Sequence, residues 1–506
     1  MKTRILVLIL AALMLCSCFV GCTGNDEPVT TTTQGTEEGE TTDPIGDNVV
    51  YVDENGYEID SLPSDLNFGG KKVTILAWSD YTMYEFESPD DTLTADPVND
   101  ALYNRNVTVE TRLGIELDYV YSVGDSTHMS DFIKVVEADS VDKQYDYIAS
   151  YSRVAPKLAV DGYLADINEL NYIEMTKPWW PKSLVEQSTI NDKLFFCSGD
   201  ISTNLLWFME ATFYNKALIE QYNLEDPYEL VKSMEWTMDK LFEMCENKGE
   251  LGDDNKKSLD DVYGMTLYSN NLDDFSIAAN LIPVKNNNGV LELTGDYESQ
   301  KMSTLIEKWQ AFLASDDIYC ENSTKIRNIF FEERAIFMTD RVFVIAGKDN
   351  STNTSKIEFE YGVIPNPMYN KKQGQYVTNM GYPFTMYSIP AYIEMGDQDM
   401  AAAVIECMAS ESYRQVSPNI FELVMKVKYA YGDEPAEMFD LIKNTVYFDV
   451  ARIYMVDWVY RAFKDVVLSG GTMGWASEYN KNVDAVKKAI ASINEAYGVE
   501  NYRRSQ

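Results

Sequence analysis

The sequence predicts an α/β protein of two lobes, each a mostly parallel sheet flanked by helices, the two joined by a hinge. Three observations carry that expectation. Residues 71–151 alternate strand, helix, strand, helix and strand patterns, the order that builds a parallel sheet with crossover helices. The first of those strands is a nearly unbroken apolar run, as expected of a strand covered on both faces. Beyond a polar N-terminal stretch, about 450 residues remain, more than one core usually carries. The whole chain is 45% hydrophobic and 12% aromatic, ample for two such cores.

Taken in order, Lys71-Lys72 introduce the strand Val73-Thr74-Ile75-Leu76-Ala77-Trp78. Asp96-Pro97 then starts a helix, an N-cap acceptor followed by proline at the first helical position. That helix runs to Leu113, where Gly114 stops it. Ile115 to Tyr121 alternates as a strand, Ser130 to Ala138 is helical, and Tyr145 to Tyr151 is a third strand. Farther on, Lys301 to Ser315 sets Met302, Leu305, Ile306, Trp309, Phe312 and Leu313 on one helical stripe. Ala335 to Ile345 and Phe359 to Ile364 read as strands, and Pro365-Asn366-Pro367 breaks the chain. Ala401 to Met408 is helical, and Val483, Val486, Ile490 and Ile493 repeat the helical period near the C-terminus.

The N-terminus predicts export. Lys2 and Arg4 precede the apolar run Ile5 to Leu15, too short to span a bilayer as a stable helix but suited to a secretory signal. The run ends near Cys16, Cys18 and Cys22, and Phe19-Val20-Gly21-Cys22 resembles a bacterial lipobox, with Leu15-Cys16-Ser17-Cys18 fitting nearly as well. Residues 1–21 are therefore expected to be a lipoprotein signal peptide, and Cys22 the lipidated residue, with Cys18 the alternative. Residues 22–48 are rich in Thr, Glu, Asp and Gly, a composition that cannot offset ordering entropy and reads as a solvated tether. The expected location is the outer face of a bacterial cell membrane, held there by a lipid anchor.

Composition excludes several functions. The formal net charge is −39, which repels nucleic acid. The single histidine, His128, rules out a multi-histidine metal site. There is no Gly-x-Ser-x-Gly elbow and no Walker-type phosphate loop. Cys197, Cys245, Cys320 and Cys407 follow no zinc spacing and read as buried thiols. Carboxylate pairs are another matter: among 81 Asp and Glu, some pair always lies at catalytic separation.

Several segments together resemble the extracellular solute-binding proteins of ABC sugar importers, the broad family that includes maltodextrin-binding proteins. Asp96-Pro97-Val98-Asn99-Asp100-Ala101-Leu102-Tyr103-Asn104-Arg105-Asn106, then Val109-Glu110 and Leu113-Gly114-Ile115, resemble its first helix and second strand. Tyr145-Asp146-Tyr147-Ile148, Leu158-Ala159, Gly162-Tyr163-Leu164 and Asp166-Ile167 look like the next strand and helix. Phe213-Tyr214-Asn215-Lys216-Ala217-Leu218 and Glu235-Trp236-Thr237-Met238-Asp239 are similar to the start of the second lobe. Phe330 to Ile345 and Tyr361-Gly362-Val363-Ile364-Pro365 resemble the return towards the first lobe. The likeness covers most of residues 70–500 in order.

What the resemblance implies is a two-lobed periplasmic-binding-protein-like fold of the type II class, closing on its ligand like a hinge. It implies a monomer that captures a small solute, a mono- or oligosaccharide before a peptide, for the permease subunits of an ABC transporter. It implies no catalysis, no metal and no cofactor. The expected lobes are 49–205 and 206–360, with a return to the first lobe over 361–412 and a helical completion of the second over 413–506. Two rivals stay open: an exported glycoside hydrolase, and a peptide-binding or adhesive surface lipoprotein.

Ligands of open α/β sheets lie beyond the carboxyl ends of the strands. That rule selects Trp78 and Asp80 after the first strand and Ser152 and Arg153 after the third, and the resemblance gives these positions a ligand contact. Asp200, Asn204 and Trp207 fall where the chain should first cross between lobes. Arg341 follows an apolar strand of the second lobe, and Tyr382, with Phe384, falls on the family's return strand. For Trp78 and Trp207 two readings stand, stacking on a sugar face or packing in a core. For Arg153 the alternative to a ligand contact is a surface ion pair. Trp179-Trp180 and Trp475 read as packing.

Overall fold

The computed structural model describes residues 51–79, 85–88, 96–345, 357, 359–426, 434–456 and 458–499. The expected signal, Cys18, Cys22, the whole of the tether and Asp80 lie outside those residues.

Among the described residues nine strands form the two larger sheets, here numbered in chain order. β1 (Lys71–Trp78), β2 (Ile115–Ser122) and β3 (Tyr147–Tyr151) are parallel, with β1 between the other two. β4 (Glu210–Asn215), β5 (Tyr263–Tyr268), β6 (Ile318–Glu321), β7 (Ala335–Arg341) and β8 (Tyr361–Ile364) form the second sheet, in the order β8-β4-β7-β5-β6. There β5 is parallel to β6 and β7, whereas β4 is antiparallel to β7 and β8. β9 (Thr385–Ser388) returns to the first sheet, antiparallel to β3.

The first strand and helix form for the reasons their sequence suggests. Ile75, Leu76 and Ala77 are fully buried, so β1 is covered on both faces. Asp96 caps the helix Pro97–Leu113 by accepting from the backbone N–H of Val98 (3.0 Å) and Asn99 (3.1 Å). Gly114 ends it at φ 60°, the left-handed conformation a C-terminal cap requires. Three of the other expected helices run beyond their limits, as Met129–Asp142, Met395–Glu411 and Trp475–Ala496, while the one expected over Lys301 to Ser315 spans Gln300–Ala314. Trp475 opens the last of these and stacks on Trp458, with ring centroids 5.6 Å apart.

Three expectations need correction. The strand expected over Ala335 to Ile345 ends at Arg341 and tightens into a 3₁₀ turn, Val342–Val344. Residues 361–364 have not yet left the second lobe, because Tyr361 to Ile364 pair with Asn215 to Thr212 of β4. The return is made between that strand and β9. Nor does everything after residue 413 complete the second lobe: the helix Ser417–Lys426 packs against Pro97–Leu113 of the first.

Trp179 and Trp180 are both buried, and Cys197, Cys245, Cys320 and Cys407 are free thiols, Cys320 half-buried and the others buried. Among the described residues no helix is long and apolar enough to cross a membrane, and no cluster of His, Cys, Asp and Glu could hold a metal ion.

Two buried carboxyls predict how stability depends on pH. Burial pushes Glu406 up to about 8, although Trp180 Nε1 (3.0 Å) and the Glu174 N–H donate to it. Burial likewise lifts Glu85 to about 7, against donors from Asn204 and Thr385 at 2.7 Å each. Between the ordinary carboxyl value and these raised ones the folded state holds protons that the unfolded chain has released. Stability should therefore fall as pH rises from about 4.5 to about 8. The melting temperature is expected to be higher at pH 5 than at pH 8, and Glu406→Gln, which has no proton to lose, should flatten the slope between pH 7 and 8. A variant with the wild-type slope would remove Glu406 from this explanation.

Candidate functional site

The two crossings between lobes run side by side. Met209 forms an antiparallel bridge with Met380, and the Gly381 N–H donates to the Phe208 carbonyl at 2.9 Å. A Cβ on Gly381 would lie 2.5 Å from that carbonyl oxygen and 2.6 Å from Glu210 Oε1, so glycine is what lets the strands meet there. A cavity of about 390 Å³ opens beside this crossing.

Its walls come from both lobes. Arg153 follows β3, Glu210 begins β4, and Arg341 ends β7. Tyr268 ends β5, and Asn270, Asn271, Asp273 and Asp274 continue from it into the helix Leu272–Ala278. Gly381 and Tyr382 supply the second crossing, while Arg452, Tyr460, Arg461 and Lys464 come from the C-terminal region. Arg153, Arg341 and Tyr268 lie at or just beyond the carboxyl ends of their strands, the geometry the strand-end rule anticipates, whereas Glu210 comes from the amino end of the antiparallel β4.

Tyr382 stands at the centre. The guanidinium carbons of Arg452 and Arg153 lie 4.6 and 4.8 Å from its ring centroid, and Arg341 Nη1 donates to its carbonyl at 2.5 Å. Arg153 also lies 5.1 Å from the Tyr460 ring. Burial raises the Tyr382 hydroxyl well above its usual range, so it stays protonated, a donor as well as an acceptor.

The acidic wall is buried. Glu210 is 3% exposed and Asp274 1%, and burial first, then their mutual repulsion in the case of Glu210, raises both carboxyls. Asn271 Nδ2 donates to Glu210 Oε2 at 3.2 Å, and Asn379 Nδ2 donates to Asp274. Burial lifts Asp273 to about 6 despite the nearby Arg452 and the Lys464 N–H at 3.0 Å. Such a wall can accept from or donate to a ligand hydroxyl, while the Tyr382 ring can cover an apolar C–H face.

Of the nine residues expected from sequence, the structure brings Arg153, Arg341 and Tyr382 together in this cavity. Among the described residues Arg153 forms no ion pair, which was the alternative to a ligand contact, and packs against two tyrosine rings. Trp78 is 1% exposed, donates from Nε1 to Thr385 Oγ1 at 2.8 Å and lies 5.6 Å from the Tyr151 ring; it takes the packing role. Ser152 is fully buried, and its N–H pairs with the Phe384 carbonyl at 2.9 Å. Asn204 and Trp207, each 1% exposed, lie in a short helix before the crossing, not on its open side. Asp200 pairs with Lys443 at 3.2 Å and lines a separate cavity beside Trp179 and Trp180.

Glu210, Asp273, Asp274 and Arg452 were not among the expected residues. Applying the strand-end rule to Tyr263–Tyr268 would have found the two aspartates, and Glu210 is a lone carboxylate opening an apolar strand. Arg452 had no such signal, because it lies in a four-residue helix, Val450–Ile453, in a segment without clear periodicity.

No family model matches this sequence, and no curated protein matches it either. Solved structures do. A cyclo/maltodextrin-binding protein complexed with maltotetraose aligns at TM-score 0.55 and 14% identity, over 83% of this chain and 97% of its own. A cyclic α-maltosyl-1,6-maltose-binding protein from Arthrobacter globiformis aligns at 0.54 and 14%, over 84% and 100%. An extracellular solute-binding protein from Staphylococcus aureus, in complex with maltose, aligns at 0.52 and 13%, over 84% and 97%. The fold is therefore the two-lobed α/β fold of these sugar-binding proteins.

Proposed function

We propose that this chain is an extracellular solute-binding lipoprotein of an ABC importer, which captures a carbohydrate between its lobes and hands it unchanged to a membrane permease. The observation that carries the reading is a single cavity at the crossing, walled by Arg153 from the first sheet, Arg341 and Glu210 from the second, and Tyr382 between them. A ligand touching both walls favours the closed arrangement by the difference in its contacts, which is how capture becomes a signal to a partner. The matched structures named above are binding proteins, two of them holding maltose or maltotetraose, which supports a saccharide as the ligand. In this reading the protein is monomeric, carries its lipid on Cys22, and is held off a bacterial cell surface by residues 22–48.

One observation suits the rival hydrolase reading. Glu210 and Asp274 form a buried carboxyl pair with raised proton affinity, the kind of group that can act as a general acid. A thermal-shift screen of mono- and oligosaccharides, with peptides and polyols as controls and product analysis by chromatography, separates the readings. A saccharide at one hundred times its Kd should add about 2.7 kcal/mol to folding stability and leave the column unaltered. A saccharide that is consumed would make the protein an enzyme. A shift with peptides alone would replace the carbohydrate reading.

A further inference from the structure

The charge of the cavity runs against that of the chain. The protein carries 42 Lys and Arg against 81 Asp and Glu, yet the cavity wall carries Arg153, Arg341, Arg452, Arg461 and Lys464 against Glu210, Asp273 and Asp274. The overall ratio of one to two has become five to three. Such concentration of cations in a strongly acidic protein marks the cavity as the place where an anion would be drawn and held.

Two of these arginines, Arg153 and Arg452, are also unspent, whereas each carboxyl accepts at least one hydrogen bond. Among the described residues, the side chains of Arg153 and Arg452 make no hydrogen bond or ion pair, and the buried Nε atoms of Arg153, Arg341 and Arg452 have no hydrogen-bond partner, although Arg341 Nε lies 3.7 Å from Asp340 Oδ1. Arg153 and Arg452 touch Tyr382 through the ring alone, and a guanidinium over a ring keeps its N–H edge for another acceptor. Glu210 and Asp273 accept from Asn271 and from the Lys464 N–H, and Asp274 accepts from Asn379 on Oδ1 while its buried Oδ2 has no hydrogen-bond partner. Asp449, the other carboxyl within electrostatic reach of Arg153 and Arg452, is buried and accepts from the Ala451 N–H at 3.0 Å. Buried guanidinium donors left unsatisfied are costly, so a site holding three of them is built for a ligand that supplies acceptors.

We propose, on the reading that the cavity binds a saccharide, that the saccharide is anionic, its acidic group taken by Arg153 and Arg452 beside Tyr382 and its hydroxyls by the Glu210, Asp273 and Asp274 wall. A carboxylate, as in a uronic acid, matches the two-pronged guanidinium edge. A phosphate or sulfate ester offers the same chemistry. Burial raises the proton affinity of Glu210 and Asp274, which lessens the negative charge that would oppose such a ligand.

Isothermal titration of the intact chain tests this with matched pairs: galacturonate against galactose, digalacturonate against galactobiose, glucose 6-phosphate and glucose 6-sulfate against glucose, with maltose and maltotriose alongside. One acidic class should bind at least about 100-fold more tightly than its neutral partner. Arg153→Gln and Arg452→Gln should each weaken that binding by about 10- to 100-fold, a larger loss than either causes for the neutral sugar, while Arg452→Lys, which keeps the charge, retains part of the affinity. Circular dichroism of each variant checks that it is folded, and a misfolded Arg452→Gln leaves the decision to Arg153→Gln and Arg452→Lys. Neutral maltodextrins binding as tightly as any acid would overturn the anionic assignment and leave the carbohydrate receptor standing. Acid binding unchanged in both Gln variants would overturn the arginine assignment. If no saccharide of either class binds, the receptor reading falls as well.

Discussion

Asp340→Ala is expected to destabilise the protein by about 3–5 kcal/mol, read as a lower urea midpoint. Asp340 and Arg327 are both fully buried, and Arg327 donates twice, from Nε to Oδ2 at 2.7 Å and from Nη2 to Oδ1 at 3.2 Å. Removing the carboxylate takes two charge-assisted hydrogen bonds and a counter-charge away from a guanidinium buried deep in the second lobe, a far larger effect than losing a surface ion pair. A double change, Arg327→Met with Asp340→Leu, should recover much of the loss, because it removes the buried charge together with its partner. The consequence reaches the cavity. Asp340 Oδ1 also accepts from the Arg341 N–H at 2.8 Å, and the Arg341 guanidinium lies 4.7 Å from the Phe343 ring centroid, so the buried pair sets the strand end that presents Arg341. Equal stability of Asp340→Ala and wild type would mean that the second lobe does not rely on this pair.

Tyr382→Ala is expected to weaken saccharide binding by about 30-fold or more, roughly 2 kcal/mol, with little change in the fold. The ring is half-buried at the crossing and organises three arginines, two over its face and one on its carbonyl. Its removal takes away the surface a sugar ring would cover and the support that holds Arg153 and Arg452 in place. Tyr382→Phe keeps the ring and should retain most of the affinity, which separates a stacking role from a hydroxyl contact. Titration of both variants with the same saccharide checks this. A Tyr382→Ala protein that binds like wild type would move the ligand out of this cavity.

Much of the architecture was legible in the sequence because it rests on local signals. The apolar run at Val73, the Asp96-Pro97 start and the Gly114 stop each act within a few residues, and each is where it was expected. What was less legible depends on pairing between distant segments. Tyr361 to Ile364 read as the beginning of a return, yet their register with Thr212 to Asn215 keeps them in the second sheet. The site divided in the same way. Arg153 and Arg341 sit at strand ends, which a pattern can reveal, and both line the cavity. Trp78 also sits at a strand end, but Thr385, from the returning strand, accepts its indole N–H inside the core. Arg452 reaches the cavity only because a short helix near the C-terminus folds back against Tyr382, a contact no sequence period encodes.

The most direct test is hydrogen–deuterium exchange of the intact chain with and without a saccharide found by the thermal-shift screen. Added ligand should slow exchange together at residues 151–153, 268–274, 381–385 and 450–464, segments from both lobes and the crossing between them. Protection confined to one lobe, or centred on the separate cavity around Trp179, Asp200 and Lys443, would contradict capture between the lobes.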